Sequence, residues 1–197
     1  DAQFQSLLDQ IKKTNKEDIV IVAGSVPKSI PSDAYAQIAK ITQQTGAQLV
    51  VDAEKELVET VLEYNPLFIK PNKDELEVMF NTSIKNDEDV IKYGKQILDK
   101  GAQSVIVSLG GDGAIYVDSE RSIKAVNPQG KVVNTVGSGD STVAGMVAGL
   151  ATGLSIEDAF KQAVASGTAT AFDADLATKD AIENIKSQVT ISVLDGE

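Results

Sequence analysis

The sequence contains no histidine, no cysteine and no tryptophan. Without His or Cys there is no Ser-His-Asp or Cys-His catalytic unit, no Cys/His zinc site and no disulfide framework. A general base must then come from Asp, Glu, Lys or Tyr. Long apolar runs are missing too: none approaches the roughly eighteen residues of a membrane span. The most membrane-like stretch, Ser141 to Leu154, is rich in Ala and Gly and suits a closely packed core helix. The first residues carry neither a basic n-region nor an apolar h-region, so no signal peptide is read there. A cytoplasmic location is the expectation.

Positive charge is also scarce, with 18 Lys+Arg against 29 Asp+Glu and a formal net charge of -11. That balance excludes a surface for bulk nucleic acid or anionic lipid. It leaves room for one phosphate site, which needs only a few local donors and a cation. A hydrophobic fraction of 42% with 24% charged residues indicates a globular rather than a disordered chain. At 197 residues the length suits about one domain, and residues 1–197 read as a single α/β domain.

Strand and helix signals alternate. After a helical pattern carrying Phe4, Leu7, Leu8 and Ile11, strands are expected over residues 18–23, 48–52, 67–70 and 104–108. Helices are expected between them: over Pro31 to Gly46, around Leu57 to Leu62, and over Asp74–Phe80 and Asp87–Lys100. Ala114–Val117 and Ser122–Val126 read as a hairpin or a pair of edge strands. Helices follow over Ser141–Leu150, Ser155–Phe172 and Lys179–Lys186, and a strand-like Val189–Leu194 closes the chain. Such alternation means βαβ units and a mostly parallel sheet.

Ligands of open parallel sheets collect beyond the carboxyl ends of the strands. The unusual loops fall at those ends: Gly24-Ser25-Val26-Pro27, Asp52, Lys70 to Glu75, Ser108 to Gly113 and Val136 to Ser141. Each taken alone also reads as an ordinary βα turn. Gly137-Ser138-Gly139-Asp140 is the strongest, lying between the extended stretch Lys131–Asn134 and a helix whose first turn starts near Asp140. Small residues let backbone N–H groups point at a ligand, and a helix N-terminus adds partial positive charge suited to an anion. Loss of one preorganised donor of this kind costs about 2.7–4 kcal/mol of transition-state stabilisation. Alternatively, Asp140 is a first-turn carboxylate complementing the helix dipole, worth about 0.3–1 kcal/mol. Two commoner phosphate motifs fail. No Lys follows the glycines, so there is no P-loop; and Thr142 stands where the third glycine of a dinucleotide fingerprint belongs.

Four motifs in one order carry a resemblance. Asn134 to Ser141 resembles the G-A-G-D signature of the ribokinase-like (PfkB) carbohydrate kinases, with Ser138 in place of the common Ala. Lys70-Pro-Asn-x-x-Glu75 is similar to that family's N-x-x-E motif, Ser108 to Gly113 to its [ST]-x-G-x-x-G nucleotide loop, and Ala23 to Pro27 to its S-G-S-L-P-like turn. The wording looks most like the phosphosugar branch, with fructose 1-phosphate as the first expected acceptor and tagatose 6-phosphate as the second.

The resemblance implies a three-layer α/β sandwich and ATP-dependent phosphorylation of a sugar phosphate. Asp140 would be the general base, and the N–H groups of Gly137, Ser138 and Gly139 an anion hole. Ser108, Gly110, Gly111, Asp112 and Gly113, with Asn72, would hold ATP. Glu75, through water, would help place Mg²⁺, which keeps most of its waters. Asn72 and Glu75 have a plainer reading as a capping box at a helix start. Gly24, Ser25 and Asp52 would floor the sugar site. The small-residue stretch Ala163–Ala169 reads either as an adenine wall or as tight helix packing. The family's N-terminal strands and sheet lid, the lid being a frequent dimer contact, have no counterpart here. The chain therefore reads as the nucleotide-side, C-terminal portion of a kinase, with little activity alone and with a homodimer formed through the missing lid. A non-catalytic nucleotide-binding module is the alternative from another class.

Overall fold

The computed structural model describes residues 2–196 and gives an α/β fold in two compact units. The first unit runs to Val107 and takes in Val117–Ser119; the second holds Ser108–Tyr116 and everything from Glu120 onward.

In the first unit, α1 (Ala2–Ile11) and β1 (Ile19–Ala23) lead to α2 (Ala34–Thr45) and β2 (Gln48–Asp52). Then come α3 (Lys55–Glu59), β3 (Phe68–Ile69), α4 (Lys73–Phe80), α5 (Asp87–Asp99) and β4 (Ser104–Ser108). The strands pair in parallel in the order β1-β2-β3-β4, with Val22 opposite Val51, Val51 opposite Ile69, and Ile69 opposite Val105. Val50, Val51, Phe68, Ile69 and Val105–Val107 are fully buried, as continuous apolar runs of a parallel sheet should be. Helices α2 and α5 cover them through Tyr35, Ile38 and Ala39, and through Val90 and Ile97. β1 is an edge strand, and its Ile21 is 44% exposed. Leu7, grouped above with the apolar face of α1, is exposed, while Phe4, Leu8 and Ile11 are buried.

The second unit contains most of β5 (Ala114–Asp118), then β6 (Arg121–Val126), α6 (Ser138–Ala151), α7 (Ile156–Ala171), α8 (Lys179–Lys186) and β7 (Thr190–Gly196). β6 and β7 pair antiparallel, from Ala125 opposite Ile191 to Ser122 opposite Asp195. Ile115, Ile123, Met146 and Phe160 are buried, and the Tyr116 and Phe160 rings lie 5.8 Å apart. Helices α6 and α7 meet almost backbone to backbone. A methyl on Gly145 would strike Ala163 and the Ser166 hydroxyl, and one on Gly149 would strike Ala159. Van der Waals contact therefore replaces side-chain interdigitation along this seam.

Two departures from the expected elements bear on the site. α6 starts at Ser138, three residues before the position expected for it, because Gly137 adopts φ +79° and starts the helix without a side-chain cap. The stretch Lys131–Asn134 is irregular and not a strand, its Val133 and Asn134 N–H groups both donating to the Ala171 carbonyl. Among the described residues, no helix is long and apolar enough to cross a membrane.

Candidate active site

Each unit carries its own set of polar groups at the strand and helix ends. In the first unit, Gly24 follows β1, donates its N–H to the Asp52 carbonyl (3.0 Å) and accepts the Tyr35 hydroxyl on its own carbonyl (2.7 Å). Asp52 ends β2, and Lys70 follows β3. Their side chains pair at 3.2 Å, with Lys70 only 7% and Asp52 18% exposed. Two charges this far out of water hold only because each compensates the other. Burial, and then the neighbouring Asp52 charge, push the Tyr35 phenol above its ordinary value. Ser25 is exposed beside this group.

Beyond Pro71, Asn72 and Glu75 form the capping box that their spacing predicted. The Asn72 Oδ1 accepts the Glu75 N–H at 2.8 Å, and the Glu75 Oε2 accepts the Asn72 N–H at 2.7 Å. The second Glu75 oxygen makes no hydrogen bond among the described residues. A cleft of about 320 Å³ opens here, lined by residues that include Glu54, Lys55, Glu56, Asp74, Glu75 and Val78. Among the described residues, no three carboxylates are arranged to hold a metal ion.

In the second unit, Ser108 is half-buried and the loop after it tightens into a short 3-10 turn over Gly110–Asp112. Leu109 donates to the Gly113 carbonyl at 2.9 Å, Asp112 to Leu109 at 3.3 Å and Gly113 to Gly110 at 3.2 Å. Gly113 has φ +94°, and any side chain there would run into the Ala125 carbonyl, so only glycine closes this turn against β6. The N–H groups of Gly110 and Gly111 have no acceptor among the described residues.

The Gly137-Ser138-Gly139-Asp140 segment forms the first turn of α6. Ser138 donates its N–H to the Thr135 carbonyl (3.2 Å), and Ser141 donates to Gly137 (2.8 Å). The N–H groups of Gly137, Gly139 and Asp140 have no acceptor among the described residues, and the Asp140 side chain is exposed. Of the expected anion-hole donors, Ser138 is thus the one engaged within the chain. Its hydroxyl is buried with no hydrogen-bond partner among the described residues. The turn is held from behind: Thr142 bonds the Ser138 carbonyl at 2.9 Å, and the Ser141 and Thr170 hydroxyls lie 2.9 Å apart.

The stretch Ala163–Ala169 is buried inside the α6–α7 contact, which favours the tight-packing reading of it. Residues that sequence reasoning passed over are Lys70 as a buried cation, Tyr35, Asn127, Thr168 and Thr170. The alternation Gly167-Thr168-Ala169-Thr170 held a usable signal. Hydroxyls on the buried face of a helix must find partners, and here they bond to Asn127 and Ser141.

The chain matches the model of the pfkB family of carbohydrate kinases over residues 1–180. It is 41% identical over 194 residues to the 1-phosphofructokinase of Bacillus subtilis, covering 98% of this chain and 64% of that protein. It is 34% identical over 195 residues to the D-tagatose-1-phosphate kinase of Bacillus licheniformis, with the same two coverages. The crystal structure of the phosphofructokinase-2 of Escherichia coli in complex with substrates and products superposes with a TM-score of 0.90 at 32% identity, over 95% of this chain and 62% of that one. The α/β, mostly parallel architecture is therefore that of the ribokinase-like kinases. The chain spans about 64% of the length of these curated relatives.

Proposed function

The chain belongs to the pfkB family of carbohydrate kinases, and from that premise we propose that the protein transfers the γ-phosphoryl group of ATP to a hydroxyl of a sugar phosphate, fructose 1-phosphate first. The observation that carries this reading is the first turn of α6, where three N–H groups with no acceptor among the described residues lie beside an exposed carboxylate. The acceptor hydroxyl attacks the γ-phosphorus, and Asp140 takes its proton. The bond from phosphorus to the β–γ bridging oxygen breaks, and ADP leaves with that oxygen. The Gly137, Gly139 and Asp140 N–H groups, with the positive end of α6, stabilise charge on the phosphoryl oxygens during transfer. Ser108 to Gly113 hold the nucleotide phosphates, and Gly24, Ser25 and Asp52 are the residues assigned to the sugar.

The Asn72–Glu75 pair fits a water-mediated role toward Mg²⁺. One Glu75 oxygen is committed to the cap, so the carboxylate presents a single free oxygen rather than a chelating pair. Mg²⁺, when bound with ATP, neutralises phosphate charge. We place the enzyme in the cytoplasm, with homodimerisation through the part of the longer protein that this chain does not span.

The test is a coupled assay on the full-length protein with fructose 1-phosphate, tagatose 6-phosphate and fructose 6-phosphate. Turnover should depend on the sugar phosphate, with fructose 1-phosphate having the highest kcat/KM. Asp140→Asn should lower kcat by about 10²–10⁴-fold while ATP still binds. ATP binding with no phosphoryl transfer to any of the three sugars, unchanged by Asp140→Asn, would instead identify a non-catalytic nucleotide-binding module. A higher kcat/KM for tagatose 6-phosphate would move the substrate assignment to the second acceptor.

A further inference from the structure

The loop at Gly110–Asp112 is short, exposed and glycine-rich, and within it the Gly113 N–H already engages the Gly110 carbonyl at 3.2 Å. A methyl group on Gly110 or Gly111 would meet nothing within 4 Å, so packing does not fix this part of the loop. A second polar hold on the same carbonyl comes from outside the loop, from Asn127, just after β6. The Asn127 side-chain amide donates to the Gly110 carbonyl at 3.0 Å and lies 3.5 Å from the Gly111 carbonyl. The other end of that amide is also taken. Thr168, 6% exposed on α7, donates its hydroxyl to the Asn127 Oδ1 at 2.8 Å. The Gly110 carbonyl, which can only accept, decides which way the Asn127 amide faces, and the Thr168 hydroxyl, donating to the Oδ1 left on the other side, holds the amide in that place.

The consequence follows from the planar trans peptide. The carbonyl of one residue and the N–H of the next point in opposite directions. Drawing the Gly110 carbonyl toward Asn127 therefore turns the Gly111 N–H outward, and that N–H has no acceptor among the described residues. We propose that Asn127 and Thr168 are positioning residues for the nucleotide, a two-bond relay from α7 that holds the Gly111 N–H ready for an ATP phosphate oxygen. Gly167, the residue before Thr168, packs against Ser138 and Thr142 at the start of α6. Neighbouring residues of one helix thus support both phosphate-facing segments of the second unit. The inference rests on the reading of Ser108 to Gly113 as the ATP loop.

The experiment measures ATP affinity by calorimetry, and the KM values for ATP and sugar phosphate, on the full-length protein and three variants. Asn127→Ala should weaken ATP binding and raise its KM about 3- to 10-fold, the scale of one neutral hydrogen bond. The KM for the sugar phosphate should move far less, and kcat should fall by less than the KM for ATP rises. Thr168→Val should act in the same direction, more weakly. The double variant should be no worse than Asn127→Ala alone, because both act through one amide. Unchanged ATP affinity in Asn127→Ala, or equal losses in both KM values and kcat, would overturn the relay while leaving the kinase reading intact. A wild-type protein that binds no ATP would remove the nucleotide reading and the relay together.

Discussion

The two units solve the same problem, placing polar groups at the ends of buried elements, with opposite materials. The first uses side chains that satisfy one another: Lys70 with Asp52, Asn72 with Glu75, and Tyr35 with the Gly24 carbonyl. The second uses backbone N–H groups left open, held in place by residues with small or no side chains. In the first the buried Lys70 and Asp52 charges compensate each other. In the second several N–H donors have no acceptor among the described residues. The contrast predicts that the first unit is sensitive to altered charge and hydrogen bonding, and the second to added volume.

The largest effect should come from Lys70→Met, which leaves the Asp52 carboxylate mostly buried without its cation. A loss of about 3 kcal/mol in urea unfolding of the full-length protein is expected, toward the lower end for a broken buried pair because Asp52 keeps some water contact. A loss under 1 kcal/mol would show that the pair is not what holds this end of the sheet. Gly167→Ala tests the other side of the contrast with a single methyl group. It would press on the Thr142 hydroxyl and the Ser138 carbonyl, costing about 1–3 kcal/mol as overpacking and lowering kcat by displacing the α6 turn. Full stability with unaltered kcat would dissolve the contrast.

Asn72→Ala removes a cap and should cost about 1 kcal/mol, read from the same urea curves. The smallest effect concerns pH. The Tyr35 phenol is raised above its ordinary value, so the stability it contributes is complete below its unfolded value of about 10 and is lost as pH rises through the higher folded value. Tyr35→Phe should therefore flatten the stability profile between about pH 9 and 11. Parallel profiles for the two proteins would show that the phenol does not titrate differently on folding.

The elements most legible in the sequence were those with strong apolar runs and clear stops. β2 and β4 fall at residues 48–52 and 104–108, where their Val- and Ile-rich runs put them, and α8 spans the expected Lys179–Lys186. The helix read around Leu57 to Leu62 is instead a five-residue α3 followed by a 3-10 turn. Asn65 adopts a left-handed conformation before Pro66, and the chain turns there instead of continuing. The α6 start was misjudged because Gly137 does with backbone conformation what a capping side chain normally does. The candidate-site loops were visible because glycine and proline punctuate them. The pairing of Asn127 with Thr168 was not, since a contact across 41 residues leaves no local period or spacing to read.

The α6–α7 seam has a thermal consequence. Gly145, Gly149, Ala159, Ala163 and Gly167 have no side-chain torsions, so at these closest points the contact between the helices cannot loosen by rotamer exchange. Warming populates alternative side-chain states in an ordinary core. The close points of this seam have none, and the hydroxyls beside them are bonded, so the spacing of the α6 N–H groups should change little with temperature until the helices separate as a unit.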